Sequence, residues 1–443
     1  MHLPNYGAEY HSIYMHPAPL DSFSTQRIVI IGGGQAAAQA SESLRKRGHT
    51  GPLTIIGDEG LLPYQRPPLS KKFLVGTFER DRLPFRHAAH YAEHAIDLRL
   101  GFAAVSIDRA NRRVEIADGS HVGYDALLIA TGTRPRALPL PGAELAGVHT
   151  LRTVTDVERL RSEVQPGRRA VIVGGGYIGL EVAATCRELG VEVTVLEAAD
   201  RLMARVAAPE VSAFYAAEHA RHGVNVRCGV RLHSLIGADA APGTPLAHAA
   251  AVGKQRVAAV RVADGTDVPA DFVLVSIGVE PVDALAREAG LECDGGIIVD
   301  EHCRTSDPHV WAAGDVARHP SPHYGARVRL ESVDNAFEQA NSAALNMLGL
   351  TTVHDKVPWF WSDQYDLKLV IVGLNAGYDD LVLRGDPAGR AFSVCYLRSG
   401  ELIAVETVNH AKDQMAARKL IPARARPDRA KLADPAVPLK DTV

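Results

Sequence analysis

An α/β architecture with two Rossmann-like βαβ units and a C-terminal α/β domain is predicted by three features of this 443-residue sequence. A glycine-rich turn lies between a short apolar run and an amphipathic helix near the start of the chain. The same arrangement recurs in the middle. Beyond residue 350, β-branched runs alternate with polar breaks. Length alone calls for two or three domains, because a single hydrophobic core stops growing well before this size.

The first unit opens with Arg27-Ile-Val-Ile-Ile, an apolar run suited to a buried parallel strand. Gly32-Gly-Gly34-Gln-Ala36-Ala37 follows, then an alanine-rich helix to about Gly48 and a second strand, Leu53-Thr-Ile-Ile, running into Gly57 and Asp58. This is the GxGxxA spacing with an acid about two dozen residues on, the dinucleotide fingerprint. Gly32 permits the tight turn, Gly34 lets a pyrophosphate approach the backbone, and Ala37 keeps helix and strand close. The helix N-terminus faces the phosphate, and Asp58 is placed to accept ribose hydroxyls.

The second unit repeats the pattern in Arg169-Ala-Val-Ile-Val, Gly174-Gly-Gly176-Tyr-Ile-Gly179, a helix over Leu180 to Leu189, and a strand from Val191 ending at Glu197. Two complete fingerprints imply one dinucleotide each, a flavin dinucleotide (FAD) beside a nicotinamide dinucleotide. A carboxylate at Glu197 hydrogen-bonds a free 2′-hydroxyl and repels a 2′-phosphate, so NADH is expected over NADPH. Arg201 is a further nucleotide-contact candidate, either binding a phosphate or packing over the adenine ring.

The remaining composition narrows the function. Hydrophobic residues make up 46% and charged residues 23%, as in a soluble globular protein. A net charge of −4 gives no electrostatic case for nucleic acid. No apolar run reaches the roughly 20 residues that a membrane span needs. Cys186, Cys228, Cys293, Cys303 and Cys395 form no CxxC or CxxxxC pair, so neither a metal knuckle nor a local redox dithiol is encoded. Residues 1–26 lack the basic start and apolar centre of an export signal and read as a disordered extension, which with the cysteine usage implies the cytoplasm.

These units and the segments between them resemble the pyridine nucleotide-dependent flavoprotein reductases with the glutathione reductase-type double Rossmann fold. Tyr124-Asp-Ala-Leu-Leu-Ile-Ala130-Thr131-Gly132-Thr is similar to that group's ATG segment, and Thr305-Ser-Asp-Pro-His-Val-Trp-Ala-Ala-Gly314-Asp315 to its second FAD signature. Val275-Ser-Ile-Gly278-Val-Glu-Pro281 resembles the segment returning from the NAD unit. Pro63-Tyr-Gln-Arg66-Pro-Pro-Leu-Ser-Lys71 is similar to a motif of reductases of bacterial oxygenase systems and of apoptosis-inducing factors. Arg329-Leu-Glu-Ser-Val333-Asp-Asn-Ala and Pro358-Trp-Phe-Trp361-Ser-Asp-Gln-Tyr365 point to ferredoxin reductases of the putidaredoxin reductase and rhodocoxin reductase type.

The resemblance implies FAD contacts at Ala36, Arg66, Ala104, Thr131, Gly132, Arg152, Asp315 and Val333, with Asp315 on the ribityl chain. It implies NADH-dependent reduction of a [2Fe–2S] ferredoxin that feeds an oxygenase, the flavin passing electrons singly. An NADH-binding redox sensor of the apoptosis-inducing-factor kind is the alternative from another class, and a rubredoxin or monodehydroascorbate reductase the alternative within enzymes. The implied division is an FAD unit over 27–145 and 276–350, an NAD unit over 146–275 and an interface domain over 351–443. Residues 237–254 read as a flexible loop longer than the group's usual hairpin.

Where the glutathione reductase branch carries its dithiol, this chain has Pro67-Pro-Leu-Ser-Lys71 and no cysteine before Cys186. Lys71 stands where the resembled group places a lysine near the flavin N5, and a cation there stabilises negative charge on the reduced ring. Glu181 is its natural counter-charge in the first turn of the second unit's helix. Tyr177, in the glycine turn, either lies over the flavin until nicotinamide displaces it or serves plain packing. Trp361 is the candidate on the electron-exit side. Arg80, Arg82, Arg86 and Lys368 are candidates for steering an acidic partner, or a solvated face.

Overall fold

The computed structural model describes residues 21–238 and 255–443. Its first sheet has five parallel strands in the spatial order Val310–Ala312, Ala126–Ile129, Ile28–Ile31, Leu53–Gly57 and Ile96–Leu100. Ile28–Ile31 is central and buried at every position, with Ile28 opposite Leu53 on one side and Ala126 on the other. A strand covered on both faces gains by being apolar throughout, which is why this run does not alternate. Helices Gln35–Lys46 and Val333–Met347 share a core cluster on this sheet through Ala36, Ala40, Ala336, Ala340 and Ala343. Those small side chains let two helices distant in sequence approach closely.

The second sheet is also five-stranded and parallel, in the order Asn225–Arg227, Glu192–Leu196, Arg169–Val173, Phe272–Val275 and Val148–His149. Helix Tyr177–Glu188 follows its glycine turn, starting three residues earlier than the periodicity suggests because the glycine turn itself caps it. An antiparallel sheet of Leu232–Ala238, Arg256–Val262 and Asp267–Pro269 packs on one face through Leu235, Val260 and Val262. Gly237 and Ala238, expected in a loop, are therefore strand residues paired with Val257 and Arg256. The rest of the expected loop lies outside the described residues.

Beyond residue 358 an antiparallel sheet runs Trp359–Gln364, Leu367–Gly373, Glu401–Val408, Ala391–Arg398 and Asp380–Asp386. Four of these strands are legible as β-branched runs. The fifth, Trp359–Gln364, is an edge strand whose aromatic and polar composition hides it. Helix Ala411–Leu420 covers one face, with Ala417 and Ile421 against Val370, Val372 and Val405. The other face joins the second unit's core, where Leu369, Ile371, Val394 and Tyr396 meet Val211 and Tyr215. The α/β class expected from the sequence is the one observed.

The expectation that residues 1–26 are wholly unstructured is corrected at their C-terminal end. Asp21–Ser24 forms a helical turn, and Gln26 Nε2 donates to Met347 O at 2.6 Å. The end of the extension is thus held against helix Val333–Met347, while residues 1–20 lie outside the described residues.

A buried polar pair behind that helix gives a testable acid sensitivity. His319 and His354 are each 2% exposed, with rings 4.7 Å apart edge to face. Burial holds His319 down to about 4 and His354, which also feels His319 and Lys356, down to about 3, from an ordinary 6.5. The unfolded chain therefore binds protons first. The stabilisation is complete above pH 6.5 and is lost as pH falls toward 4, at about 1.4 kcal/mol per pH unit for each ring. Melting curves between pH 7 and 5 should show this slope, and a His354→Gln variant should lose about half of it. A variant with the parent's slope would refute the assignment.

Candidate functional site

The two glycine turns are built alike, and their geometry separates two roles for glycine. Gly32 has φ +122°, and a Cβ there would lie 2.2 Å from Ala130 O. Gly174 has φ +105°, and its Cβ would lie 2.3 Å from Ser276 O. Gly179 is excluded from bearing a side chain by Gly174 O, at 2.3 Å. These three are required by the protein itself. Gly34 and Gly176 have ordinary φ of −98° and −82°, and a Cβ on either would meet nothing within 4 Å. The space beside them is open, at the N-terminus of a helix whose free N–H groups suit a phosphate. Both turns therefore fit a dinucleotide pyrophosphate.

Around the first turn the structure gathers most of the expected flavin-side residues. Gly314, at φ +81°, abuts Ala36, and its N–H donates to the buried Gln339 Oε1 at 2.9 Å. Asp315 Oδ2 accepts from Arg152 Nη2 at 3.2 Å and from Thr133 Oγ1 at 3.3 Å. Arg66 donates to Arg152 O, to Tyr64 Oη and to Glu59 Oε1, at 2.7, 2.9 and 2.7 Å. One connected network therefore orients Arg66, Arg152 and Asp315. Gly132 at φ +67° brings its backbone beside Arg152, and Thr131 Oγ1 donates to Val282 O at 2.7 Å. Val333 opens its helix behind the Ser332 cap. Ala37 is fully buried between helix and sheet, Ala104 opens the strand Ala104–Asp108, and Asp58 is exposed just past Leu53–Gly57. Gln339 carries no motif and escaped sequence reasoning, and Thr133, at the end of the ATG segment, is singled out only by its bond to Asp315.

In the second turn Glu197 accepts from Gly175 N at 2.6 Å and from Ala199 N at 2.7 Å. Those bonds fix the carboxylate beside the turn and leave lone pairs for ribose hydroxyls. Gly278, at φ +98°, lies where the chain leaves this unit. The guanidinium of Arg201, the further candidate here, donates to Ala204 O, Ala207 O and Ser212 Oγ and so anchors the 201–212 segment. The expectation on coenzyme choice rests on Glu197. NADH should reduce the flavin with at least about a hundredfold higher kcat/KM than NADPH. Glu197→Ala should shrink that ratio by about tenfold or more. Equal use of both coenzymes by the parent would refute the assignment.

The helix of the second turn carries one partner of a largely buried ion pair. Lys71 Nζ is 2.6 Å from Glu181 Oε2, with Glu181 3% and Lys71 21% exposed at their side chains. The same oxygen accepts from Ser70 Oγ at 2.6 Å, and Glu181 Oε1 accepts from Ser362 Oγ at 2.8 Å. A charge this deep is tolerated only when paired and hydrogen-bonded, and both conditions hold. Tyr177 packs against Phe360 with ring centroids 4.5 Å apart, and burial pushes its hydroxyl well above the usual range.

Lys71 and Glu181 also line a cleft of about 2240 Å³ that the C-terminal edge strand borders through Trp359 and Trp361. Those rings lie 5.4 Å apart, Arg418 sits 3.8 Å over Trp359, and Trp359 Nε1 donates to Asp334 Oδ1 at 2.5 Å. Burial and the neighbouring Glu338 push Asp334 up to about 6. The expected group of steering arginines is only partly available. Arg80 pairs with Glu158 at 3.1 Å and Arg86 with Glu42 at 2.9 Å, while Arg82 lies over Phe78.

All five cysteines are free. Cys186 is fully buried in helix Tyr177–Glu188, and burial pushes its thiol up to about 12. Among the described residues no helix is long and apolar enough to cross a membrane, and no group of acids, histidines and cysteines is placed to hold a metal ion.

Two dinucleotide-type glycine turns in one chain, an ion pair of Lys71 with Glu181 in the second turn's helix, and five free cysteines fit a two-cofactor oxidoreductase. The chain belongs to the pyridine nucleotide-disulphide oxidoreductase family, which matches residues 26–340, and residues 359–443 match the reductase C-terminal family. It is 44% identical to rhodocoxin reductase of Rhodococcus erythropolis over 394 residues, 89% of each chain. It is 43% identical to the 5,5′-dehydrodivanillate O-demethylase ferredoxin reductase subunit of a Sphingobium species, across 93% of this chain and 97% of that one. The crystal structure of a covalent putidaredoxin reductase–putidaredoxin complex superposes with a TM-score of 0.88 at 39% identity, covering 94% of this chain and 97% of that one. The resemblance read from the motifs is thereby confirmed, and the chain is an oxidoreductase using FAD and NAD(H).

Proposed function

We propose that this protein takes electrons from NADH and delivers them singly to a [2Fe–2S] ferredoxin that serves an oxygenase. The observation that carries this reading is the cleft with Lys71 and Glu181 on one bank and the C-terminal aromatic strand on the other. Relatives named as ferredoxin reductases of oxygenase systems support it. Bound FAD supplies the exchange between a two-electron donor and a one-electron acceptor. The protein holds it with the first glycine turn, Ala36, Arg66, Ala104, Thr131, Gly132, Arg152, Asp315 and Val333. Gly174, Gly176, Gly179, Glu197 and Gly278 hold NADH. Lys71, held in place by Glu181, supplies positive potential at the flavin, and Tyr177 closes the nicotinamide side. Trp361 lines the exit side.

The partition of sheets supports the division into an FAD unit over 27–145 and 276–350, an NAD unit over 146–275 and a C-terminal domain over 351–443. Five unpaired cysteines support a reducing compartment, and we place the protein in the cytoplasm. The test is steady-state NADH oxidation with an oxygenase-type [2Fe–2S] ferredoxin and a terminal one-electron acceptor. Many turnovers per flavin, dependent on the ferredoxin, are expected. A single stoichiometric reduction that then persists would instead mark a redox sensor and overturn the proposal.

A further inference from the structure

Glu181 is the first member of a buried chain of hydrogen bonds that leaves the cofactor site altogether. Ser362 Oγ donates to Glu181 Oε1 at 2.8 Å, and Gln364 Nε2 donates to Ser362 Oγ at 3.2 Å. Gln364 Oε1 lies 2.9 Å from His219 Nε2, and His219 Nδ1 lies 3.0 Å from Tyr365 Oη. Ser362 and His219 are 0% exposed and Gln364 1%, so water does not compete for these bonds. The chain joins three elements: helix Tyr177–Glu188, helix Pro209–Arg221 and the edge strand Trp359–Gln364.

Only one polarity satisfies every atom. The Glu181 carboxylate only accepts, so Ser362 gives it its single proton and receives an N–H from Gln364 in turn. That turns the Gln364 amide oxygen toward His219, so Nε2 carries the ring proton and Nδ1 accepts from the Tyr365 hydroxyl. Burial, which holds His219 below its ordinary range, favours this neutral ring. Every link is a donor pointed at the next group, and the last points at the carboxylate that neutralises Lys71. Alternation along the strand completes the design: Trp359 and Trp361 line the cleft, while Ser362 and Gln364 face inward.

We propose that Ser362 and Gln364, set by His219, are positioning residues for the reductive step. They hold the Glu181 carboxylate in place and draw off part of its charge, so that Lys71 keeps its positive potential toward the flavin. This inference rests on the roles given above to Lys71 and Glu181.

The test uses the FAD-loaded full chain and reads two quantities, the flavin midpoint potential and the stopped-flow rate constant for its reduction by NADH. Ser362→Ala should slow reduction about fivefold to tenfold and move the potential to more negative values, because the carboxylate loses a charge-assisted donor. Ser362→Thr keeps the donor and should restore both to within about twofold of the parent rate and close to its potential. Glu181→Gln removes the negative charge and should move the potential in the opposite, positive direction. The Ser362→Ala/Glu181→Gln double variant should match Glu181→Gln alone, since Ser362 acts only through that carboxylate. Gln364→Met, which withdraws the donor to Ser362, should shift the potential as Ser362→Ala does by a smaller amount, and decides the matter where Ser362→Ala fails to fold. If Glu181→Gln alters both readouts while Ser362→Ala and Gln364→Met alter neither, or if the effects multiply in the double variant, the positioning role is overturned. If Glu181→Gln alters neither readout, the underlying reading of Lys71 and Glu181 falls, and this inference with it.

Discussion

Gly176→Ala should leave the chain folded and loaded with FAD while weakening NADH binding about tenfold to a hundredfold. The added Cβ meets no protein atom within 4 Å, and the backbone at φ −82° accepts alanine without strain. Its methyl group instead enters the space where the pyrophosphate approaches the helix N-terminus, and overpacking of that kind costs about 1–3 kcal/mol. Gly174→Ala should behave in the opposite way. Its Cβ would lie 2.3 Å from Ser276 O on a backbone at φ +105°, so the second unit must distort before any ligand arrives. A lower melting temperature is therefore expected for Gly174→Ala. Near-parent melting is expected for Gly176→Ala, whose defect should appear in the NADH dissociation constant measured by titration. Equal loss of stability in both variants would show that the open space at Gly176 is not a ligand's.

That contrast marks how far the sequence reaches. The GxGxx(A/G) spacing identifies both turns and assigns roles to Gly32, Gly34, Gly174, Gly176 and Gly179, because the constraint is local: a strand, a turn of fixed length and a helix. Lys71 and Glu181 are legible as partners for the same reason, since each belongs to a motif tied to one element. Ser362, Gln364 and His219 are not, although the first two fall within a quoted motif, because what unites them is packing between elements. They sit in an edge strand of aromatic and polar composition and in a helix more than a hundred residues earlier, and only the packing of the C-terminal sheet on that helix brings them together. Arg201 carries bonds of the same hidden kind: the carbonyls of Ala204 and Ala207 and the hydroxyl of Ser212 accept from its guanidinium. Its place four residues after Glu197 does not reveal them.

The two halves of the reaction should respond to different substitutions, because Lys71 and Glu181 sit on other elements than Trp361, and within the strand Trp359–Gln364 the cleft-lining Trp361 alternates with the buried Ser362 and Gln364 that serve Glu181. Lys71, Glu181 and the turn from Gly174 to Gly179 are assigned, in the function proposed above, to the side that meets NADH. Trp361 lines the cleft from a different sheet and packs on Trp359, which Asp334 and Arg418 hold in place. Interactions that act on separate steps change separate rate constants. Glu181→Ala leaves Lys71 without its counter-ion and Ser70 and Ser362 without their acceptor, so stopped-flow reduction of the flavin by NADH should slow about a hundredfold, the scale on which a fixed electrostatic contact acts. Trp361→Ala removes a half-buried ring and none of those bonds. It should leave flavin reduction within about twofold of the parent and slow re-oxidation by the ferredoxin by about tenfold, the scale of one anchoring aromatic at an interface. Both half-reactions are to be measured in both variants after FAD content and melting temperature are matched to the parent. If Trp361→Ala impairs reduction by NADH as severely as Glu181→Ala does, the separation fails, and Trp361 is packing that supports the site as a whole rather than a residue of the exit side.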